Sequence, residues 1–189
     1  MGTVPRTRQT GGMRVVAGSA RGRRILVPDG DGTRPTADRV REAMFNSLYS
    51  LGVLDDVRVI DVFAGSGALG LEALSRGAAH CTFVENDRRA LDALRTNLDT
   101  LGFLDAATVV AGDGPSVLRQ QGDIDLVLLD PPYAFDAWDE LLATVAERLP
   151  EAMVVIESDR EIDLPTGWET HRARRYGSTV VTLASAGSP

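Results

Sequence analysis

Apolar residues along this chain fall into two alternating rhythms. Unbroken runs at Val57 to Phe63, His80 to Glu85, Ala107 to Val110, Ile124 to Asp130 and Met153 to Glu157 read as buried strands. Helical spacing fills the intervals near Leu69 to Arg76, Arg88 to Leu101, Pro115 to Gln120 and Phe135 to Arg148. Such alternation predicts an α/β fold, a mostly parallel sheet with helices on both faces and a ligand crevice at the strands' carboxyl ends. The last segment breaks the rhythm, since Trp168 to Arg175 and Ser178 to Leu183 flank only Tyr176-Gly177 and predict an antiparallel hairpin at the sheet edge.

The first third reads differently. Met13 to Ala17 and Arg23 to Val27 predict a small β-hairpin around the turn Gly18 to Gly22, and Pro28 to Thr33 a loop. A helix follows, with Thr36 as N-cap and Val40, Met44 and Leu48 on its core face. The pattern divides the chain into a basic disordered tail (1–12), a hairpin-and-loop extension that is the candidate substrate contact (13–36), the main domain (37–184) and a frayed end (185–189).

At 189 residues the chain suits one domain that buries about 70% of its unfolded surface. It holds no run long enough to span a membrane and no signal-peptide core near its start, so a cytoplasmic protein is expected. Cys81 stands alone inside a strand pattern and reads as a small buried hydrophobe. His80 and His171 lack the partners a metal site needs, so no metal is expected. The net charge of −7 argues against nucleic acid, but its distribution argues the other way. Through Arg41 there are nine arginines against three acids, the asymmetry of a local phosphate-binding patch. Arg14, Arg21, Arg23, Arg24, Arg34 and Arg39 are the candidate substrate contacts. A solvated helix start is the plainer reading of Arg34, Arg39 and Arg41. All 20 basic residues are arginine, which by itself decides nothing.

The chemistry sits at the strand ends. Asp61-Val62-Phe63-Ala64-Gly65-Ser66-Gly67-Ala68-Leu69-Gly70 places G-x-G-x-x-G between a strand and a helix, where glycine lets backbone approach a ligand. Glu85 ends the next strand, where an acidic side chain can accept ribose hydroxyls. Asp113, in Gly112-Asp113-Gly114, can accept an adenine amino group, though turn chemistry also favours Asp-Gly there. Asp61, Ala64, Gly65, Ser66, Gly67, Glu85, Asn86, Asp113 and Gly114 are therefore the expected cofactor lining. Nicotinamide dinucleotides and S-adenosylmethionine share this layout, and the fourth strand separates them. It ends in Asp130-Pro131-Pro132-Tyr133, a stiff loop whose carboxylate and Pro131 carbonyl can accept the N–H bonds of a ring amine while Tyr133 stacks on the ring. That arrangement suits transfer of a methyl group from S-adenosylmethionine and has no use in a dehydrogenase.

Four blocks resemble the bacterial 16S rRNA guanine-N2 methyltransferases of the RsmD type. They are Arg14 to Gly18 with Arg21-Gly22-Arg23; Arg34-Pro35-Thr36-Ala37-Asp38-Arg39-Val40-Arg41-Glu42 with Phe45-Asn46; Asp61 to Ala78; and Asp130 to Tyr133. The resemblance implies a Rossmann-like class I methyltransferase fold and methylation of the N2 amine of one guanine, position 966, with S-adenosylmethionine as donor. It implies as substrate 16S rRNA within a partly assembled small ribosomal subunit. By the same resemblance Gly65, Gly67, Glu85 and Asp113 line the cofactor and Asp130, Pro131, Pro132 and Tyr133 hold the guanine. A monomer is expected. A DNA adenine or cytosine amino-methyltransferase, and an idle RNA-binding assembly factor that keeps the cofactor fold, stay open as alternatives.

Overall fold

The computed structural model describes residues 12–28 and 35–187. Residues 1–11 of the expected basic tail, most of the loop before the first helix, and Arg34 lie outside the described residues. After helix α1 (Pro35–Ser50), strands and helices alternate as β1 (Arg58–Asp61), α2 (Ala68–Ser75), β2 (His80–Glu85), α3 (Arg88–Leu101), β3 (Ala107–Ala111), α4 (Gly114–Leu118), β4 (Leu126–Leu129), α5 (Trp138–Arg148) and β5 (Met153–Ser158). The antiparallel pair β6 (Trp168–Tyr176) and β7 (Thr179–Ala186) closes the chain.

One seven-stranded sheet results, in the order β3-β2-β1-β4-β5-β7-β6. Strands β1 to β5 pair in parallel, and β7 pairs antiparallel with both β5 and β6. The order reverses between β1 and β4, which opens a crevice beyond their carboxyl ends.

Two apolar layers hold the sheet. Val59 of β1 and Leu126 and Leu128 of β4 face one way, against Met44 and Leu48 of α1, Leu71 of α2 and Leu94 of α3. Ile60, Val127 and Leu129 face the other way, against Leu118 of α4 and Leu141 and Leu142 of α5. The period-2 alternation of side chains thus turns each unbroken apolar run into a strand buried on both faces. Val40, Met44 and Leu48 are all buried, as their spacing predicts, and so is Cys81. Asp87 caps α3 by accepting the Arg89 and Ala90 N–H groups, and Gly102 ends it in the left-handed region.

Three expectations need correction. The segment before α1 pairs only briefly, through one antiparallel bridge between Arg14 and Arg24 in which Val15 N–H donates to Arg23 O at 3.0 Å and Ile25 N–H to Met13 O at 2.9 Å, short of two full strands. Other backbone groups of the segment bond to the body. Glu72 accepts the Val16 and Ala17 N–H groups at 2.8 and 3.0 Å, while Asn97 pairs with both backbone groups of Leu26. Helix α5 begins at Trp138 rather than Phe135, because Phe135 N–H donates to Pro132 O in a turn and its ring packs edge-on against Phe63 and Trp138. Strand β7 continues past Leu183 to Ala186, held by pairing of Ser185 with Met153.

Candidate active site

The crevice between β1 and β4 gathers residues from the carboxyl ends of five strands. Behind β1, the loop Phe63 to Gly67 turns sharply into α2. Gly67 adopts φ +91°, and a Cβ there would stand 2.5 Å from Leu94 Cδ1. Gly70 is needed for packing, since a Cβ would come within 2.3 Å of the Phe83 ring and 2.7 Å of Cys81 Sγ. Around Gly65 the space where a side chain would stand is open, so backbone lies bare to the crevice. At Gly114 a Cβ would meet Val62 O at 2.4 Å, so this glycine lets α4 start against the end of β1.

Asp61 ends β1 at 1% exposure. Its Oδ2 accepts the Gly70 N–H at 3.0 Å, while Oδ1 is buried with no hydrogen-bond partner. Burial pushes its pKa up to about 7, against the Gly70 bond, with the Glu85 charge adding to the rise. Glu85 ends β2 and organises the loop beside it. One oxygen accepts Gly65 N–H at 2.7 Å, and the other accepts Asn86 and Asp87 N–H. Asp113 accepts Ser116 N–H as the N-cap of α4, so here the turn chemistry is realised with the second carboxylate oxygen left over.

Asp130 follows β4, half-buried, with Pro131 buried behind it and Tyr133 55% exposed. No hydrogen bond satisfies the Asp130 carboxylate among the described residues. Burial raises its pKa well above the ordinary carboxylate range, and the charges of Glu157 and Asp61 raise it further. Glu157 is the residue that sequence reasoning missed. It is the penultimate residue of β5 and stands beside Asp130, because Leu129 and Ile156 are in register. Its own pKa is raised by burial, with Arg41 pulling the other way. An acid just after the run Met153 to Ile156 repeats the pattern of Asp61, Glu85 and Asp130, and that was the available signal.

The candidate arginines separate. Arg14, Arg21 and Arg39 line a cavity of about 250 Å³ between the N-terminal segment and α1, together with Asp38 and Glu42. Arg24 is exposed. Arg23, expected at the substrate, instead donates to the carbonyls of Thr100 and Leu101 at the carboxyl end of α3, a charge-favoured helix terminus. Arg41 is not a solvated helix start but 3% exposed. It donates to Arg14 O at 2.5 Å and to Asp38 at 3.0 Å, and its Nε lies 3.6 Å from buried Glu72.

Such a crevice offers bare backbone, a carboxylate at the end of β2 and two acceptors with no donors of their own. The orphaned Asp61 oxygen fits a cationic ligand, which would satisfy a carboxylate that burial now disfavours. Among the described residues no cluster of His, Cys, Asp and Glu is placed to hold a metal ion, and no helix is long and apolar enough to cross a membrane.

Comparison with known proteins fits this geometry. The family model described as conserved hypothetical protein 95 matches residues 13–185. The chain is 41% identical over 181 residues to ribosomal RNA small subunit methyltransferase D of Escherichia coli K12, covering 92% of this chain and 90% of that protein. Among solved structures, Escherichia coli yhhF superposes with a TM-score of 0.82 at 36% identity, over 95% of this chain and 100% of the other. An RNA methyltransferase from Salinibacter ruber, solved with S-adenosyl-L-homocysteine, shares the fold at a TM-score of 0.65 and 19% identity, over 84% and 95% of the two chains.

Proposed function

The chain belongs to the conserved hypothetical protein 95 family and has the Rossmann-like methyltransferase fold, and from that premise we propose that it is an S-adenosylmethionine-dependent methyltransferase of small-subunit ribosomal RNA. The reaction is methylation of the N2 amine of a guanine, position 966 of 16S rRNA, in an assembled or partly assembled subunit. The observation that carries the reading is Asp130-Pro131-Pro132-Tyr133 at the switch point, with an unsatisfied carboxylate beside the glycine loop and an exposed aromatic face.

S-adenosylmethionine would supply a methyl group on a positively charged sulfur. Gly65, Gly67, Glu85 and Asp113, with Ala64, Ser66, Asn86 and Gly114 around them, would hold it, and the Asp61 carboxylate fits its charge. The remaining work belongs to the chain itself. A guanine stacked in RNA must be turned out of its stack, which costs a few kcal/mol. Tyr133 offsets that by stacking. The Asp130 carboxylate and Pro131 carbonyl accept the two N2–H bonds and fix the amine, whose lone pair is otherwise delocalised into the ring. Positioning of this kind contributes up to roughly 7–11 kcal/mol in favourable cases. Asp130 accepts the departing N2 proton as the C–N bond forms. Arg14, Arg21 and Arg39 face the RNA backbone.

The test is transfer of labelled methyl to small subunits lacking the modification, beside naked 16S rRNA and duplex DNA, with nucleoside analysis. N2-methylguanosine from subunits is expected. Label in DNA, or none in any substrate, would overturn the reading.

A further inference from the structure

We propose that the carboxyl-end half of edge strand β6 is a second RNA-docking surface, on which Arg174 and Arg175 contact phosphates of the strand flanking the base held at Asp130. This rests on the function proposed above and adds a surface on the opposite side of the crevice from the N-terminal segment.

The register places it. Arg174 pairs with Val181, and Val181 pairs with Glu157, so Arg174 shares one row across the sheet with Glu157 and the neighbouring Asp130. Arg175 pairs with Val180, which pairs with Ser158, one row further toward the crevice. From β4 to β6 there are three strand spacings of about 4.8 Å, so the arginines stand roughly 14 Å from the base-holding end of β4. That is within reach of a nucleic-acid strand whose base enters the crevice. The N-terminal segment, by contrast, packs on α2 and α3, over β1 to β3. RNA would therefore lie across the crevice with basic groups on either side.

Exposure and charge identify the partner. Every residue from Glu169 to Arg175 is exposed. Arg174 and Arg175 form no ion pair or side-chain hydrogen bond among the described residues, whereas Arg172 donates to Ser47 Oγ at 2.8 Å and braces the strand on α1. Successive residues point to opposite faces, so Arg174 and Arg175 present cations on both sides of the edge. Charges on an edge strand also deter edge-to-edge pairing, and that duty is indifferent to sign and position. Here the sign is graded. The far end carries Glu169 with His171 at 3.8 Å, and the end at the crevice carries the two free arginines. A polyanion running toward Asp130 accounts for the gradient.

The experiment measures 16S rRNA binding by the full-length protein against salt, for wild type, the R174Q/R175Q double variant and R58Q, which removes an exposed arginine from the amino end of β1. The double variant is expected to lower the log–log slope by about 1.4, or about 0.7 per lost single-strand contact, with wild-type Tm and cofactor affinity. R58Q is expected to keep the wild-type slope. An unchanged slope in a folded double variant overturns the surface, as does an equal change in R58Q, which would make it a general charge effect. A double variant whose oligomeric state changes while its slope does not would assign the edge to a second copy of this chain. Wild-type protein that binds the RNA yet never methylates it would overturn the proposed function while leaving the surface standing.

Discussion

Glu157 stands beside Asp130 because Ile156 and Leu129 are paired in register on β5 and β4, so two carboxylates share the carboxyl edge of the sheet with no cation between them in sequence register. Asp130 is pushed well above the ordinary carboxylate range by burial first, then by Glu157, then by Asp61. Its charged form is the better acceptor for the amine, so turnover falls as pH drops through that raised value. Glu157→Gln removes the second cause. The acidic limb of the kcat/KM profile should move to lower pH, with the neutral-pH plateau retained. A limb that stays in place, or moves up, would show that the two carboxylates do not interact.

Asp61 gives the cofactor-free protein an inverted pH dependence of stability. With a folded pKa of about 7 against 3.8 for the free side chain, the folded chain keeps a proton that the unfolded chain has already released between those values. Stability therefore falls as pH rises from about 4 to about 7 and is level above that range. Asp61→Asn can still accept the Gly70 N–H and does not ionise. Between pH 5 and pH 8 the variant should gain on wild type by on the order of 2–3 kcal/mol, read from urea unfolding at both pH values. Parallel trends in the two proteins would falsify the raised pKa.

Much of this site was legible before the structure. The strand-loop-helix order around Gly65 and the strand ending at Asp130 follow from periodicity, because a strand buried on both faces must be an unbroken apolar run. The arginines were not legible in that way. Charge density marks the N-terminal segment as basic, but whether an arginine faces solvent, a helix end or a buried glutamate depends on long-range contacts such as Arg23 with Leu101 and Arg41 with Glu72. The shortness of the N-terminal hairpin has the same cause. Its arms pair through Val15 with Arg23 and Ile25 with Met13, while Glu72, Ser75 and Asn97 bind the N–H groups of Val16, Ala17, Ala20 and Leu26, so the pairing goes no further. Glu157 was overlooked because one acid after an apolar run carries no motif until its neighbour in the sheet is known.

The N-terminal segment is pinned where Gly18 meets Ser75. Ser19 N–H donates to Ser75 O at 2.7 Å, Ser75 Oγ bridges Ala17 O and Ala20 N, and a Cβ on Gly18, at φ +81°, would stand 1.7 Å from that carbonyl. Gly18→Ala should therefore lift the segment from α2. Trypsin should cut at Arg21, Arg23 and Arg24 at least tenfold faster, and stability should fall by about 1–3 kcal/mol as Val15, Ala20 and Ile25 lose their packing. Cofactor affinity should hold, because the glycine loop has its own support from Glu85 and Asp61. Unchanged cleavage would mean that the contact at Ser75 does not hold the segment.

Tyr133 is 55% exposed at the crevice mouth, with its ring open to solvent. Its proposed work is stacking, which uses the ring face and not the hydroxyl. Stacking of a base on an aromatic side chain is worth about 1–3 kcal/mol by alanine substitution. Tyr133→Ala should then lower kcat/KM by roughly 5- to 150-fold, by that free energy converted at RT, and Tyr133→Phe should stay within about threefold of wild type. Asp130→Ala belongs in the same series, with turnover abolished and cofactor binding by titration calorimetry nearly intact. A Phe variant as weak as the Ala variant would give the hydroxyl the role assigned here to the ring, and lost cofactor affinity in Asp130→Ala would move that carboxylate from the base to the cofactor.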